Sequence, residues 1–448
     1  MAAQDTRFTY SLDSLKEITR SILSHASKAG ATACEAEVSQ GFGQDVTVRR
    51  GEVETIEYNR DKGLGVTVYF GQQRGHASTS DFSPKAVSDT VEAALSIARH
   101  TAQDEFAGLA DKALLAEEIP DLSLYHPWDL SVEQAIELAQ RCEEAAMKVD
   151  QRINNSEGAS VSTQESLFIY GNSLGFLAGY PASRQSVSCA VIAESGDGMQ
   201  RDYWYDSRRA AADLCGIEEV GRRAGERTVR RLNARKIDTT ECPVLFEAPL
   251  AAGLIGHFVG AISGGSLYRK SSFLLDSLGK QVFAPLINIR ELPHILKGLA
   301  SSPFDHEGVT TQDRDLVKDG ILQGYMLGSY SARKLGMVST GNAGGNHNLI
   351  IDSTGQDFAA LLKMLGTGLV VTELLGHGIN PVTGDYSRGA AGFWVENGEI
   401  LYPVEEITVA GNLAQMYQNI VAVGTDVEVQ GSKQCGSILI ESMKVAGN

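Results

Sequence analysis

The chain has 448 residues, of which 43% are hydrophobic and 21% charged, with a formal net charge of −17. This length allows two or three domains that each bury a core, and the composition excludes disordered, fibrous and disulfide-stapled classes. The negative charge repels phosphate backbones, which disfavours direct binding of nucleic acid.

The N-terminus has no basic segment followed by an apolar run and a cleavage site, so we expect a cytoplasmic chain. The longest apolar window, residues 244–263, is interrupted by Glu247, Pro249 and His257. It therefore predicts a buried strand and helix, and no contact with a membrane. Six cysteines without a C-x-x-C pair predict free thiols.

The first hundred residues predict a helix, strands and a second helix. Residues 11–30 have helical periodicity that ends at Gly30, and Ser83 with Pro84 marks the start of the second helix. Between them, apolar and polar residues alternate, as in half-buried strands. The turn signals in this stretch are RRGE, NRDKG and GQQRG, at 49–52, 59–63 and 71–75.

The same order recurs further along the chain, with a helix at about 132–149, strands at 152–206 and a helix at 207–232. We interpret this order as an internal duplication within one N-terminal α+β domain, residues 1–235. The basic stretch 222–236 is interpreted as the solvated face of the last helix.

A polar segment at 233–243 ends in proline and is the predicted domain boundary. The second domain, 243–448, is glycine-rich and contains short β-prone runs. Asp-Gly in KDG (318–320) and Asn-Gly in ENG (396–398) indicate tight hairpins. The fold class is therefore α+β with two domains, the second a mostly antiparallel curved sheet or open barrel.

Histidines among glycines are the first candidates for chemistry, because imidazole is a common metal ligand and proton carrier. They are His257, His347 and His377. No H-E-x-x-H occurs, so the two imidazoles and the carboxylate that a helical zinc site needs are not supplied locally. The alternatives are a core histidine at 257 and turn residues at 347 and 377.

Two nucleophile candidates have structural alternatives. GNSLG at 171–175 matches G-x-S-x-G, but its flanks predict a hairpin turn containing Ser173 in place of a nucleophile elbow. Cys435 has only Lys433 nearby in the sequence to stabilise a thiolate, so an inert thiol is favoured. The alternative is that Cys435 is a nucleophile or a metal ligand. No phosphate-binding loop is present, and no bound cofactor is expected.

Several long stretches resemble the PmbA (TldE) branch of the TldD/PmbA family, and the resemblance covers essentially the whole chain. The stretches include GHFVGAISGGSLYRKSSFLLDSLGK, DGILQGYMLGSYSARKLGMVSTGNAGG and DYSRGAAGFWVENGEILYPVEEITVAGNL. The resemblance implies a two-domain α+β fold and a role in a zinc protease that cleaves unstructured peptides, including peptide-antibiotic precursors and antitoxins. Family members are historically called modulators of DNA gyrase.

The resemblance also implies where a metal site would lie. In the sister TldD branch, a helix carries H-E-x-x-x-H, and a later cysteine completes the zinc ligands. If His257 occupies the place of the second histidine, Ala252 and Gly253 stand where the first histidine and the glutamate should be. Cys435 has no secure match to the family's cysteine. We therefore expect no metal in this chain and zinc in a TldD-like partner.

Three hypotheses follow. In the first, this chain is the metal-free subunit of a heterodimer with a TldD-like subunit, which takes unfolded peptides. In the second, it is an independent peptidase that uses His257, His377 and Cys435 as ligands or as a thiol and imidazole pair. In the third, it regulates DNA gyrase through protein contact. A homodimer is expected when the chain is alone.

Overall fold

The computed structural model describes residues 7–196 and 198–447. The helices are α1 Leu12–Lys28, α2 Pro84–His100, α3 Val132–Met147, α4 Ile217–Arg230, α5 Ala248–Ala261, α6 Gly264–Tyr268, α7 Ser329–Lys334, α8 Phe358–Leu365 and α9 Leu413–Gln418. The strands are β1 Ala33–Arg49, β2 Glu52–Phe70, β3 Gln73–Thr79, β4 Ile153–Asn172, β5 Leu177–Ser195, β6 Gly198–Arg208, β7 Thr240–Phe246, β8 Ile289–Glu291, β9 Arg314–Lys318, β10 Ile321–Leu322, β11 Leu349–Ile351, β12 Gly368–Leu375, β13 Asp385–Glu396, β14 Glu399–Asn412, β15 Ile420–Val423, β16 Lys433–Gln434 and β17 Ile438–Ala446.

The N-terminal half contains one six-stranded sheet in the order β3-β2-β1-β4-β5-β6, with antiparallel neighbours throughout. The order helix, three strands, helix occurs twice, from α1 to α2 and from α3 to α4. Val38 packs into the core under α1 and α2, and Val46 into the core under α3 and α4. Because these residues are eight apart on β1, both helix pairs lie on the same face of the sheet.

The opposite face of this sheet contacts the C-terminal half. Phe168, Tyr170 and Tyr180 project from β4 and β5 and pack around Phe304, whose ring lies 5.7 Å from that of Tyr180. Aromatic rings in such edge-to-face contact contribute both buried area and orientation. The two halves therefore share a small apolar interface.

Two details of the predicted N-terminal elements are wrong. NRDKG at 59–63 makes no turn, since β2 runs without interruption from Glu52 to Phe70. These polar residues are exposed. A strand that is solvated on both faces does not need the alternation of apolar and polar residues that is typical of half-buried strands. The fourth helix starts at Ile217, later than predicted, because β6 continues to Arg208 and Gly216 precedes the first helical turn.

The C-terminal half contains two sheets. One has the order β10-β9-β8-β11-β16, and the other β14-β13-β12-β7-β17-β15. In the second sheet β14 also pairs with β17, so the strands curl until the sheet closes on itself. Most neighbours are antiparallel, although β7 and β12 are parallel. The mixed fold class and the curved C-terminal sheet are thus confirmed.

Both glycine hairpins form as predicted. Asp319 and Gly320 join β9 to β10 with φ angles of 50° and 76°, and Asn397 and Gly398 join β13 to β14 with φ angles of 53° and 79°. Positive φ at both central residues is the geometry that Asp-Gly and Asn-Gly accept at low cost. Ser173 lies in the turn between β4 and β5, where its Oγ accepts a hydrogen bond from the Cys34 amide at 3.0 Å.

Within the described residues, no helix has the length and apolar character that crossing a membrane requires.

Candidate functional site

Helix α5 is the centre of the C-terminal core. Leu254, Ile255 and Phe258 are buried against β7 and β12 and the loops around them. Pro249 fits the first turn, where an amide proton would have no partner inside the helix. The hydroxyl of Tyr417 donates to the Leu254 carbonyl at 2.9 Å, which fixes the helix against α9.

The face of α5 that points away from this core carries almost no side chains. A Cβ built at Gly253 or Gly260 meets no atom within 4 Å, and at Gly256 its nearest neighbour is Cε of Lys433 at 3.7 Å. These three glycines and His257 are spaced so that they share one side of the helix. The helix therefore presents bare backbone, one imidazole and a nearby lysine to the space beside it.

His257 is half-buried, with its ring centroid 6.1 Å from that of Tyr386 in an edge-on arrangement. Burial lowers the pKa of His257, and the positive charge of Arg388 lowers it further. Arg388 itself donates to the carbonyl of Leu374 at 3.3 Å, and its buried Nε has no hydrogen-bond partner among the residues that the structure describes. A divalent cation beside this imidazole would be repelled by the guanidinium.

The other candidates do not join His257. Cys435 is 1% exposed and its thiol donates to the Gly436 carbonyl at 3.1 Å. Burial, with the charge of Asp426, raises the pKa of this thiol, so a thiolate does not form readily. His377 is exposed in the loop between β12 and β13. His347 is buried, and its Nε2 lies 2.9 Å from the Gly341 carbonyl.

The donor set beside α5 does not fit a zinc ion. Structural and catalytic zinc sites use at least three protein ligands. Of the positions considered, only His257 offers a donor on this face, because Ala252 and Gly253 have none and Cys435 is enclosed. Across residues 7–196 and 198–447, no three His, Cys, Asp or Glu side chains are grouped so that they could hold a metal ion.

The N-terminal end of α5 is held by arginines from α4. Glu247 accepts from Nη1 of Arg227 at 2.9 Å and from Nη2 of Arg230 at 2.7 Å. Burial alone would raise the pKa of Glu247, but the charges of Arg230 and Arg227 outweigh it and leave that pKa below its usual value. Arg231 pairs with Glu373 in β12. These contacts join the two halves of the molecule.

This ion-pair group corrects the interpretation of 222–236 as a solvated face. Arg222 is solvated, with an exposed side-chain fraction of 48%, but the fractions for Arg227 and Arg231 are 15% and 10%. The sequence could not predict this burial, because arginines that form buried ion pairs have the same spacing along the helix as exposed arginines.

A cleft of about 590 Å³ lies between the N-terminal sheet and the C-terminal half. Its walls include Glu35, Arg74 and Tyr170 from the sheet, and His306 and Glu307 from the other half. A second cavity of about 480 Å³ shares Glu35, Arg74 and Glu307 with it. The combined space is large enough for a peptide segment of a few residues and presents both charge signs to it.

Glu35 is a half-buried acid of this cleft. Its carboxylate accepts hydrogen bonds from the hydroxyls of Tyr69 at 3.0 Å and Tyr170 at 2.7 Å. Its pKa is raised, mainly by burial, and the two tyrosine hydroxyls oppose that rise. Sequence reasoning missed this group because its members come from three strands and another domain. Only the pairing of β1 with β2 and β4 brings them together.

Comparison with known proteins places these features in a family. Models of the PmbA/TldA metallopeptidase match in three segments: domain 1 at 34–98, the central domain at 125–232 and the C-terminal domain at 239–447. The metalloprotease PmbA of Escherichia coli O157:H7 is 55% identical over 413 residues, which is 92% of each chain. A PmbA homologue from Haemophilus influenzae is 52% identical over 94% of each chain.

Solved structures agree with the fold. A crystal structure from Bacteroides thetaiotaomicron, described as a modulator of DNA gyrase, superposes with a TM-score of 0.92 at 26% identity, covering 97% of this chain and 99% of that one. TldE from Thermococcus kodakarensis superposes with a TM-score of 0.81 at 19% identity, over 96% of this chain and all of that one, a similarity of fold. By its three matched domains and its close relatives, the chain belongs to the PmbA/TldD metallopeptidase family, in the PmbA branch.

Proposed function

We propose that this chain is the PmbA/TldE-type subunit of a two-subunit zinc peptidase, in which a TldD-like partner supplies the metal and this chain helps to enclose unfolded peptides. Peptide-antibiotic precursors and antitoxins are the substrate classes that the family resemblance implies. The chain also associates with itself when that partner is absent.

The observation that carries the proposal is the bare face of α5. At the two positions where the sister branch carries a histidine and a glutamate, this helix has Ala252 and Gly253. The remaining imidazole, His257, has a lowered pKa and lies near a guanidinium. Without a carboxylate on this face, no general base is available to activate a water molecule here.

A subunit without a metal can still select substrates by shape. The bare face of α5 lets an extended backbone approach closely, because no Cβ projects from Gly253 or Gly260 into that space. β16, at the edge of its sheet, lies beside α5 near Gly256. A free strand edge offers main-chain hydrogen bonds that do not depend on the peptide's sequence. These features suit an extended, unfolded peptide.

The two other hypotheses have less support. An independent peptidase using His257, His377 and Cys435 needs these side chains together. However, His257 is half-buried, His377 is exposed in a loop, and Cys435 is enclosed with a raised thiol pKa. Regulation of DNA gyrase by contact is suggested only by the names of solved relatives.

The test uses the purified chain alone and in complex with a TldD-like subunit. We expect zinc analysis to find stoichiometric metal in the complex and none in the lone chain, and only the complex to cleave an unstructured peptide. His257→Ala should leave that cleavage within about twofold, because in this proposal His257 neither holds the metal nor activates water. A factor of two corresponds to a change in the activation barrier below about 0.5 kcal/mol.

The matched control is His100→Ala, which removes an exposed imidazole on α2. Stoichiometric zinc in the lone chain, or peptide cleavage by it that His257→Ala abolishes, would refute the proposal and favour an independent peptidase. Recovery of gyrase, but not of a TldD-like subunit, in a pull-down would favour the regulatory hypothesis.

A further inference from the structure

Two basic side chains lie beside the bare face of α5. Lys433, in β16, has its Cε 3.7 Å from a Cβ built at Gly256. Arg388, in β13, lies near enough to His257 for its positive charge to lower the pKa of that imidazole. Because Gly256 and His257 share one side of the helix, both cations border the same stretch of its open surface.

Neither cation pairs with an acid in the part of the chain that the structure describes. Arg388 donates to the Leu374 carbonyl and lies beside the Tyr386 hydroxyl, and its Nε has no hydrogen-bond partner there. Lys433 is half-buried like Arg388, and burial lowers its pKa. A cation that loses hydration without gaining a counter-ion is costly, so both groups would be stabilised by an anion.

Other half-buried arginines of this chain do have acidic partners. Arg227 pairs with Glu247, and Arg314 pairs with Glu291. Acids are also plentiful, since the sequence has 56 acidic against 39 basic residues. The surface beside α5 is therefore locally positive within a negatively charged molecule, and such a surface favours an anionic ligand.

Lys433 also lies on the strand edge that an extended peptide could use. Among the described strands, β16 pairs only with β11, so its other edge is free. A peptide that adds to this edge would lie beside α5, where Gly253 and Gly256 leave room for its backbone. The positive groups therefore lie along the path that we propose for the substrate.

The carboxylate at the C-terminus of a peptide fits this surface best. Strand addition and a bare helix face select no particular side chain, and the terminal carboxylate is the one anion that every free peptide carries. The planar guanidinium of arginine matches the two oxygens of a carboxylate, and the flexible lysine adds a second positive charge.

We propose that Arg388 and Lys433 form an anchor for the C-terminal carboxylate of the substrate peptide. The anchor rests on the proposed function, because its ligand is the peptide that the bare face of α5 receives. The two residues hold one end of the substrate and take no part in breaking the peptide bond. They determine specificity by favouring peptides with a free C-terminus.

The main experiment compares three flexible, N-acetylated peptides of about ten residues, made of Ala, Ser, Gly and Gln. The first has a free C-terminus, the second a C-terminal amide, and the third a C-terminal amide and one internal glutamate. Calorimetric titration gives the affinity of each peptide for the lone chain. Cleavage by the complex with a TldD-like subunit gives kcat/KM for each.

We expect the free C-terminus to be preferred over both amides by about tenfold in either measurement, since charge-assisted hydrogen bonds to a carboxylate are strong. Both measurements use physiological ionic strength, where the net charge of the chain is screened beyond about 8 Å. Equal values for all three peptides in both measurements would overturn the anchor. So would an internal glutamate that substitutes fully for the free C-terminus.

Two variants test the residues themselves. Arg388→Gln and Lys433→Gln should each reduce the tenfold preference to about threefold, and the double variant should abolish it. A merely structural role would weaken the free and the amidated peptide alike, so the ratio between the two peptides is decisive. A preference that persists in the double variant contradicts the proposal.

Arg20→Gln and Lys363→Gln are the matched controls, because they remove exposed cations of α1 and α8, and they should leave the preference unchanged. Circular dichroism verifies that each variant is folded. If Arg388→Gln does not fold, Lys433→Gln and the comparison of the three peptides with the wild-type chain decide the outcome.

The anchor and the proposed function fail in different ways. A complex that lacks zinc or cleaves no peptide refutes the proposed function, but the anchor stands if the lone chain prefers the free C-terminus through Arg388 and Lys433. A complex that contains zinc and cleaves all three peptides equally, with equal affinities for the lone chain, refutes the anchor and leaves the proposed function intact.

Discussion

Helices α4 and α5 both contain glycines, but the two helices use them in opposite ways. In α4, Gly221 and Gly225 face α3 so closely that a Cβ at Gly221 would lie 1.9 Å from the Cys142 carbonyl oxygen. In α5, Gly253 and Gly260 face open space. Glycine in a helix costs about 1 kcal/mol relative to alanine, so each set must have its own reason.

The two sets of glycines therefore have different roles: those of α4 allow close helix packing, and those on the open face of α5 leave the backbone accessible. The glycines of α4 let two helices approach, and they serve the stability of the N-terminal half. Gly253 and Gly260 in α5 bring nothing into contact, so packing does not explain them, whereas an open backbone surface does. Arg227 and Arg230 connect the two helices through Glu247, so that α4 positions α5.

The largest effect is expected at Gly221. Gly221→Ala should destabilise the protein by about 3 kcal/mol, because the new methyl group overlaps a backbone carbonyl that cannot move without shifting α3. Urea unfolding measures the change. Gly260→Ala is the control on α5 and should not destabilise. Equal losses for both would mean that α4 and α5 pack alike.

The next effect concerns the connection between the helices. Arg227→Ala should cost about 2 kcal/mol in the free energy of unfolding, because Glu247 and Asp202 lose a partner in a low-exposure site. Arg222→Ala removes exposed pairs with Glu219 and Glu226 and should cost much less, because water and salt screen such pairs. If the two costs are equal, the Arg227 pairs are solvated in solution.

A smaller effect with the opposite sign is expected on α5. Gly253→Ala should stabilise the protein by about 0.5–1 kcal/mol, since alanine has the better helix propensity and its Cβ meets no atom within 4 Å. Thermal unfolding checks the sign. In complex with a TldD-like subunit, the same variant should slow peptide cleavage if the substrate peptide binds along the bare face of α5. Destabilisation would mean that this face is packed.

The smallest effect is a pH dependence. Burial, then Arg388, lowers the pKa of His257 in the folded state, so the unfolded chain binds a proton at a higher pH than the folded chain. The stability from this residue is complete above the unfolded pKa of about 6.5 and decreases as the pH falls towards the lowered value. His257→Gln should remove that part of the slope between pH 7.5 and 5.5. An unchanged slope would contradict a lowered pKa.

The regular elements were predictable because their signals are local. The first two helices are preceded by Ser11 and Ser83, whose side chains cap their first turns, and the Asp-Gly and Asn-Gly hairpins form from adjacent residues. The fold class also followed from the resemblance. The continuous β2 was not predictable from NRDKG, because only its exposure on both faces explains why polar residues continue a strand there.

The site was predictable only in part, for a physical reason. That Ala252 and Gly253 lack donors is visible in the sequence once the family is recognised. The enclosure of Cys435, the guanidinium near His257 and the cleft around Glu35 depend on contacts between strands far apart in the chain. No spacing rule within one segment reports on such contacts.

The closed C-terminal sheet has a consequence for biosynthesis. β7, at residues 240–246, lies between β12 and β17 in the sheet. It is therefore synthesised before both of its neighbours, which are at residues 368–375 and 438–446. β17 is the last of these three strands to be synthesised, so this half cannot complete its sheet until residues 438–446 have left the ribosome. Nascent chains of this protein should therefore carry an unfinished hydrophobic sheet while residues 247–437 are synthesised, and chaperones that recognise exposed apolar strands are expected to bind it there.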